Sequence, residues 1–120
     1  PGHTLALIKR CVGRYQLKRY AEALADCEAY VTLKPADAYG YYVRGLMRDK
    51  TGDYDAAIVD YRRSIELETN PERIANAWYG VGVANERAGR AADARDAYLR
   101  ALEVVPAHSP SQKGLKRLGR

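Results

Sequence analysis

The fold of this 120-residue chain is decided by residues 75–106, which read ANAWYGVGVANERAGRAADARDAYLRALEVVP. Two small residues in this segment, Gly82 and Ala94, would let a pair of antiparallel helices approach each other closely. The large rings of Trp78 and Tyr98 would then fill the space on either side of that close contact. This arrangement predicts a helix–turn–helix unit, and the remainder of the chain repeats it.

The same pattern occurs twice more towards the N-terminus. The second copy has the corresponding residues Tyr41, Gly45, Gly52, Ala57 and Tyr61. The first copy has Leu7, Cys11, Ala23 and Cys27, and it has Lys18 where the other copies have a turn glycine. Pro35 and Pro106 follow the second helix of the first and third copies, where a proline cannot continue a helix because it lacks the backbone N–H.

Trp-x2-aliphatic-Gly, followed by Ala-x3-aromatic and then by Ala and Pro, resembles the signature of the tetratricopeptide repeat (TPR), a helix–turn–helix unit of about 34 residues. The resemblance implies an all-α fold. Three stacked antiparallel helix pairs would form a TPR-type right-handed α-solenoid, with a short C-terminal capping helix. We predict repeats at 4–37, 38–74 and 75–109, and the capping helix at 110–118.

Local sequence signals predict where several helices begin. Asp37, Asp53 and Asn70 are candidate N-cap residues, and a proline follows Asn70 at the first helical position. Ser109 and Gln112 have the spacing of a capping box at the start of the last helix. Repeats of this kind stack into an array whose ends need a polar cover, which would be the task of the last helix.

The two cysteines, Cys11 and Cys27, occupy the small-residue and aromatic positions of the first repeat. We expect both to be free thiols that are shielded from solvent and act as small hydrophobic side chains, with a disulfide as the alternative. His3 and His108 lie near opposite ends of the chain, and no Cys/His spacing is typical of a metal site. We therefore expect no metal and no cofactor.

The net charge of +5 is concentrated at the two ends of the chain. The basic residues there are Lys9, Arg10, Arg14, Lys18 and Arg19 at one end, and Lys113, Lys116, Arg117 and Arg120 at the other. Basic ends leave open an anion or nucleic-acid binder as an alternative. We do not expect a nucleic-acid partner, because no stacking aromatics interleave the basic C-terminal tail.

Charged residues recur at equivalent positions in the first two repeats and vanish together in the third. They are Arg10, Arg14 and Asp26, and then Arg44, Arg48 and Asp60. In the third repeat, Val81, Asn85 and Ala97 take these positions. A charge inside a repeat interface is tolerable only when it is paired. We therefore predict structural ion pairs between these arginines and aspartates, with solvated surface charges as the alternative.

Apolar residues also lie on a second face of the first helix of each repeat, where a solvated helix would carry Lys and Glu. They predict a tyrosine-lined groove that binds a partner, formed by Ile8, Val12, Tyr39, Tyr42, Leu46, Tyr79 and Val83 with Asn76 at its end. The alternative is that neighbouring helices simply pack on one another there.

The resemblance implies a non-enzymatic scaffold that binds a protein or peptide segment, apolar or aromatic in character, in this groove. One TPR subgroup clamps the C-terminal carboxylate of chaperones with Lys and Asn. This chain has Ile8, Val12, Tyr42, Leu46, Tyr79 and Val83 at the matching positions, so we expect no such partner. The other alternative is a structural fragment of a longer array that stacks or self-associates. Without a long apolar run or a signal peptide, we expect a cytoplasmic protein with no membrane insertion.

Overall fold

The architecture is that of a stack of helix pairs, described for residues 2–119 in a computed structural model. Seven helices follow one another: α1 Gly2–Gln16, α2 Tyr20–Leu33, α3 Ala38–Lys50, α4 Tyr54–Leu67, α5 Pro71–Arg87, α6 Ala91–Val104 and α7 Ser109–Leu118. Helices α1 to α6 form three consecutive pairs, and α7 packs against α5 and α6. The predicted all-α fold of three helix pairs and a C-terminal helix is confirmed.

Side-chain caps begin three of the helices where the sequence places them. The Asp37 carboxylate accepts a hydrogen bond from the Tyr39 backbone N–H, and Asp53 accepts one from the Ala56 N–H. The Asn70 side chain accepts from the Arg73 N–H ahead of a proline at the start of α5. These bonds satisfy N–H groups that have no partner within the helix.

The capping box predicted for α7 is wrong. His108, not Ser109, is the N-cap residue, and no side chain caps the helix. The Ser111 hydroxyl is bonded to the His108 ring at 2.8 Å, while the Gln112 amide donates to the Pro106 carbonyl at 3.0 Å. The Gln112 side chain thus has another partner and does not complete the box, and the helix begins at Ser109, one residue earlier than predicted.

A tyrosine locked between two glycines joins neighbouring helices at two places. The buried Tyr61 ring lies where a Cβ on Gly45 or Gly80 would approach to 2.9 or 2.7 Å. Real Cβ atoms essentially never come so close, so only glycine fits on either side of the ring. Tyr98 is held in the same way by Gly82 of α5 and Gly114 of α7. We call each set a glycine–tyrosine clasp.

The first repeat has no such clasp. Cys11 and Cys27 are joined in a disulfide with a Cα–Cα distance of 5.6 Å, so the prediction of free thiols is wrong. The expected shielding is correct, since both cysteines are 0% exposed. They lie in an apolar cluster with Leu7, Val43 and Met47, among others. A covalent bond therefore takes the place of the packed ring.

The turns inside the repeats also differ. Gly52 and Gly89 have φ values of 87° and 82°, in the left-handed region that glycine adopts without cost. Lys18 has a φ of 62° at the equivalent turn, which is unfavourable for a residue with a Cβ. The turn between α1 and α2 is therefore strained, whereas the other two are not. Separately, none of the helices in residues 2–119 combines the length and apolar character needed to cross a bilayer.

Candidate binding groove

The structure brings the six charged residues together as two triads with nearly the same geometry. In the first, Arg10 donates to Asp26 through Nε at 3.0 Å and Nη2 at 2.8 Å, and Arg14 Nη1 donates at 2.9 Å. In the second, Arg44 donates to Asp60 at the same 3.0 and 2.8 Å, and Arg48 Nη1 donates at 3.0 Å. Each aspartate thus ties the second helix of a repeat to the first.

The two triads differ in their exposure to solvent. The Asp26 and Asp60 side chains are both buried, at 5% and 1% exposed, but Arg10 is 57% exposed and Arg44 only 19%. The hydrogen bonds and charge of Asp26 raise the pKa of Arg10. Because water screens an exposed pair, the second triad lies in the environment where loss of one partner costs more.

The third repeat replaces the triad by a network centred on the neutral amide of Asn85. Asn85 donates from its side-chain amide to the Val81 carbonyl oxygen at 3.2 Å. Its Oδ1 accepts from Nε of Arg90 at 2.8 Å, and Arg90 reaches on to Asp55 of α4. The equivalent residues Arg14, Arg48 and Asn85 are therefore polar in all three repeats. In the third repeat the polar side chain is an amide that bonds Val81 and Arg90 and has no aspartate partner within residues 75–109.

Three clefts lie along the face that α1, α3 and α5 present, and we call this face the groove. The first cleft, of about 350 Å³, is lined by Leu5, Ile8, Lys9, Val12, Gly13, Gln16 and Tyr39. The second, of about 200 Å³, is lined by Tyr39, Tyr42, Ser64, Glu68, Arg73 and Asn76. The third, of about 280 Å³, is lined by Tyr79, Val83, Glu86, Arg87 and Arg117.

Tyr39 is the most accessible of the predicted groove tyrosines. Its side chain lines both the first and the second cleft, and the residue is 48% exposed. Tyr42 and Tyr79 are half-buried, because each ring lies 5.8 Å from a clasp tyrosine, Tyr61 and Tyr98 respectively. Burial raises the pKa of Tyr42. Tyr39 therefore offers the most free aromatic surface.

The aliphatic residues predicted for the groove divide between core and surface. Ile8 is only 6% exposed and belongs to the core cluster of the first repeat, so most of its surface is used inside the protein. Val12 and Leu46 are half-buried against the same cluster, and Val83 lines the third cleft. For Ile8, the apolar side chain is explained by packing between neighbouring helices, which was the alternative to a groove.

Asn76 has a partner that sequence reasoning missed. Its Oδ1 lies 2.7 Å from Nε2 of His108, whose Nδ1 is 2.8 Å from the Ser111 hydroxyl. His108 is buried, at 4% exposed, and connects the start of α7 to α5. Residues 76 and 108 are far apart in sequence and no short motif joins them, so no signal in the sequence could have paired them.

The polar end of the groove is formed by two acid–arginine contacts. The Asp49 side chain is buried and bonded to Arg87, and its Oδ1 has no hydrogen-bond partner within residues 2–119. Burial raises the pKa of Asp49, and the Arg87 charge opposes this. Glu86 accepts from Arg117 at 3.0 and 2.8 Å and from the Tyr98 hydroxyl at 2.6 Å. The bonds from Arg117 lower the pKa of Glu86.

The described part of the chain contains no group of three or more His, Cys, Asp or Glu side chains placed to hold a metal ion. The described helices instead form a packed array, and the groove on that array is lined by aromatic and polar side chains. These features define a helical-repeat protein. Residues 42–111 match the family model described as tetratricopeptide repeat, and the chain belongs to that family.

Similar proteins agree with this assignment. The chain is 29% identical over 70 residues to the photosystem I assembly protein Ycf3 of Cuscuta gronovii, covering 58% of this chain and 42% of that protein. It thus spans less than half the length of this relative. The Arabidopsis OM64 TPR domain superposes with a TM-score of 0.87 at 19% identity, over 98% of this chain and 94% of that one. The Yersinia enterocolitica type III secretion chaperone SycD, solved with a peptide of the translocator YopD, has a TM-score of 0.87 at 18% identity, over 99% and 94%.

Proposed function

We propose that this chain is a non-enzymatic protein-interaction module whose groove binds an extended segment of a partner protein. The observation that carries the proposal is Tyr39, a large aromatic residue that remains 48% exposed between two clefts. A helix that only faced water would carry charged residues at that position. Tyrosine is favoured in recognition surfaces because it buries much area and orders few torsions.

The chemistry of the clefts indicates what the partner segment carries. The acids at the polar end of the groove are engaged by arginines, whereas Arg73 in the second cleft has no carboxylate partner within residues 2–119. Lys9 adds a further positive charge to the first cleft. We infer a segment with apolar or aromatic anchors beside Tyr39 and an acidic residue or other hydrogen-bond acceptor near Arg73.

A structure with the same fold supports the binding of a peptide. SycD has the same fold over nearly its whole length and was solved with a peptide of YopD. The α1–α3–α5 face of this chain offers three neighbouring clefts, which suit a segment laid across the helices. The carboxylate-clamp partner of chaperone-binding relatives remains unexpected, because the matching positions hold apolar or aromatic residues.

The proposal is tested by selecting binders to the chain from a displayed library of random peptides. The chosen peptides should be rich in apolar residues, and their affinity should fall about 30-fold for Tyr39→Ala, the loss typical of a hot-spot side chain. Leu99→Ala is the matched control, since Leu99 is 46% exposed on α6 and outside the clefts. It should leave the affinity unchanged.

Two results would contradict the groove. The first is a set of peptides whose affinity is unchanged by Tyr39→Ala and falls steeply with salt, which would indicate binding at the basic ends of the chain instead. The structure favours this less, because Arg10 and Arg14 are bonded to Asp26 and Arg117 to Glu86. Failure to select any peptide, together with concentration-dependent sedimentation, would favour the self-associating array.

A further inference from the structure

We propose that the disulfide between Cys11 and Cys27 is a redox-sensitive lock that holds the α1 wall of the groove in place. Its reduction to two thiols releases α1 and removes the first cleft. The release of α1 is argued from the packing alone, whereas its consequence for binding rests on the proposed function.

The lock stands where the other repeats have a clasp. The clasps join Gly45 to Tyr61 and Gly82 to Tyr98, and the disulfide joins the equivalent positions of the first repeat. The third member of each clasp is a glycine on the next helix, Gly80 or Gly114. In the repeat register Val43 corresponds to Gly80, and it lies in the same core cluster as the two cysteines. A disulfide thus joins the two helices at the positions where a glycine meets a tyrosine ring in the other repeats.

Besides the disulfide, α1 is held by non-covalent contacts: Leu7 and Ile8 are buried in the core cluster, and Arg14 donates to Asp26 at 2.9 Å. No glycine–tyrosine clasp, however, joins this helix to its neighbours. The helix packs on α2 and α3 alone, and a Cβ on its one internal glycine, Gly13, would meet nothing within 4 Å. The turn that follows carries the strained Lys18, and Arg19 begins α2 without a side-chain cap. The outer arginine of the triad, Arg10, is 57% exposed. Without the covalent bond, α1 is the least secured helix of the three groove helices.

Movement of α1 would alter the groove directly. The first cleft is formed by Leu5, Val12 and Gln16 of α1, opposite Tyr39 of α3. Tyr39 also lines the second cleft, so displacement of α1 exposes one side of the residue on which partner binding is proposed to depend.

The chemistry requires a dithiol reductant. Its thiolate attacks one sulfur and breaks the S–S bond to form a mixed disulfide, and its second thiol then displaces the protein sulfur. The protein gains two electrons and two protons as two thiols, while the reductant becomes a cyclic disulfide. Because both cysteines are 0% exposed, attack must wait until α1 moves away from α2, so that reduction and opening are coupled.

Amide hydrogen exchange on the full chain, with and without dithiothreitol, tests the lock. Exchange in α1 should become about 100-fold faster on reduction, as loss of a disulfide closing a loop of this length predicts, while α5 and α6 stay protected. The double variant Cys11→Ser with Cys27→Ser should match the reduced chain and ignore the reductant. Equal α1 exchange in the oxidised and reduced chains, or an intact mass showing two free thiols after oxidation by glutathione disulfide, would overturn the proposal.

A redesigned clasp provides the control. The triple variant Cys11→Gly, Cys27→Tyr and Val43→Gly gives the first repeat the residues of the second, and its α1 should stay protected with or without dithiothreitol. Should the triple variant not fold, the serine variant alone decides the matter.

Peptide affinity separates this lock from the proposed function. A peptide selected as above should bind the oxidised chain more tightly than the reduced one. Equal affinity, alongside faster α1 exchange, would contradict control of the groove while leaving the release of α1 intact. If no peptide binds at all, the proposed function fails and control of the groove fails with it, whereas the exchange result still stands.

Discussion

The first and second repeats carry the same charged triad at equivalent positions, on α1 and α2 and on α3 and α4. The two repeats differ in the apolar contact beside the triad. The hydrogen bonds to Asp26 and Asp60 have nearly equal lengths, and each carboxylate is buried. Beside Asp60, Tyr61 is held between glycines, while beside Asp26 the chain forms a disulfide. The arginine–aspartate triad is thus the same in both repeats, whereas the contact beside it is a glycine–tyrosine clasp in one and a disulfide in the other.

The comparison also shows that equal bond lengths do not imply equal energies. Arg44 and Arg48 are 19% and 21% exposed, whereas Arg10 and Arg14 are 57% and 29% exposed. Loss of the aspartate leaves two poorly hydrated guanidinium groups in the second repeat. In the first, water can replace much of what is lost.

The largest expected effect is therefore a difference between the two aspartates. Asp60→Ala should lower the free energy of unfolding by about 3–5 kcal/mol, because Arg44 loses its aspartate partner and Arg48 keeps only Glu28 at 3.7 Å, while water reaches little of either side chain. Asp26→Ala should cost about 1–2 kcal/mol, because Arg10 can turn to solvent. Urea denaturation of both variants measures the difference.

Asp55→Ala is the control for these variants, since Asp55 makes an exposed pair with Arg90 and should cost less than about 1 kcal/mol. Equal costs for Asp26→Ala and Asp60→Ala would show that burial does not distinguish the triads.

The next effect concerns the clasps. Gly82→Ala puts a Cβ at 2.3 Å from the Tyr98 ring and should lower the free energy of unfolding by about 1–3 kcal/mol through overpacking. Gly13→Ala, in the repeat without a clasp, meets open space and should raise it by about 0.5–1 kcal/mol. Thermal unfolding of the two variants should shift Tm in opposite directions, and shifts of the same sign would refute the clasp.

A smaller effect is expected at the turns. Lys18→Gly should raise the stability by about 1 kcal/mol, because glycine adopts the observed positive φ without strain. Gly52→Ala, at the equivalent turn of the second repeat, should lower it by a similar amount. Chemical denaturation gives both values, and a destabilised Lys18→Gly chain would mean that the lysine side chain has a contact of its own.

The smallest effect is the pH dependence at the last helix. The pKa of Glu86 is lowered in the folded chain by Arg117, so its contribution to stability is present above the ordinary Glu pKa of about 4.3. That contribution is lost as the pH falls through the lowered folded value. Glu86→Gln should melt below the unmodified chain near about pH 7, and the gap should narrow as the pH falls below about 4.3.

Glu103→Gln, an exposed change on α6, should show no gap at either pH. A gap for Glu86→Gln that persists in acid would show that the residue acts by shape and not by charge.

Sequence reasoning reached the fold because its signals are local or periodic. The Trp78–Gly82 and Ala94–Tyr98 spacings and the caps at Asp37, Asp53 and Asn70 each depend on residues close in the chain. The co-occurrence of arginine and aspartate in two repeats anticipated the placement of the triads, because internal repetition acts as a comparison within one sequence. The groove prediction depends on helical periodicity as well, because it uses the apolar residues on a second face of α1, α3 and α5.

What sequence reasoning missed depends on contacts between distant segments. Whether Cys11 and Cys27 form a disulfide depends on the distance between them in the folded chain, which the sequence does not give. The prediction of two free thiols was therefore wrong. The His108 contact with Asn76 crosses from the start of α7 to α5, and His108 takes the N-cap position predicted for Ser109. The burial of Ile8 likewise depends on how closely α1 approaches its neighbouring helices.

The most direct test of the account is a chemical-shift map of the ¹⁵N-labelled chain titrated with a peptide selected on it. If the groove is the binding surface, the largest shifts should fall on Tyr39 and its neighbours in α1, α3 and α5, with Tyr79 and Val83 included. Shifts confined to Lys18, Arg19, Lys113 and Lys116, which lie outside the three clefts, with Tyr39 unmoved, would contradict it.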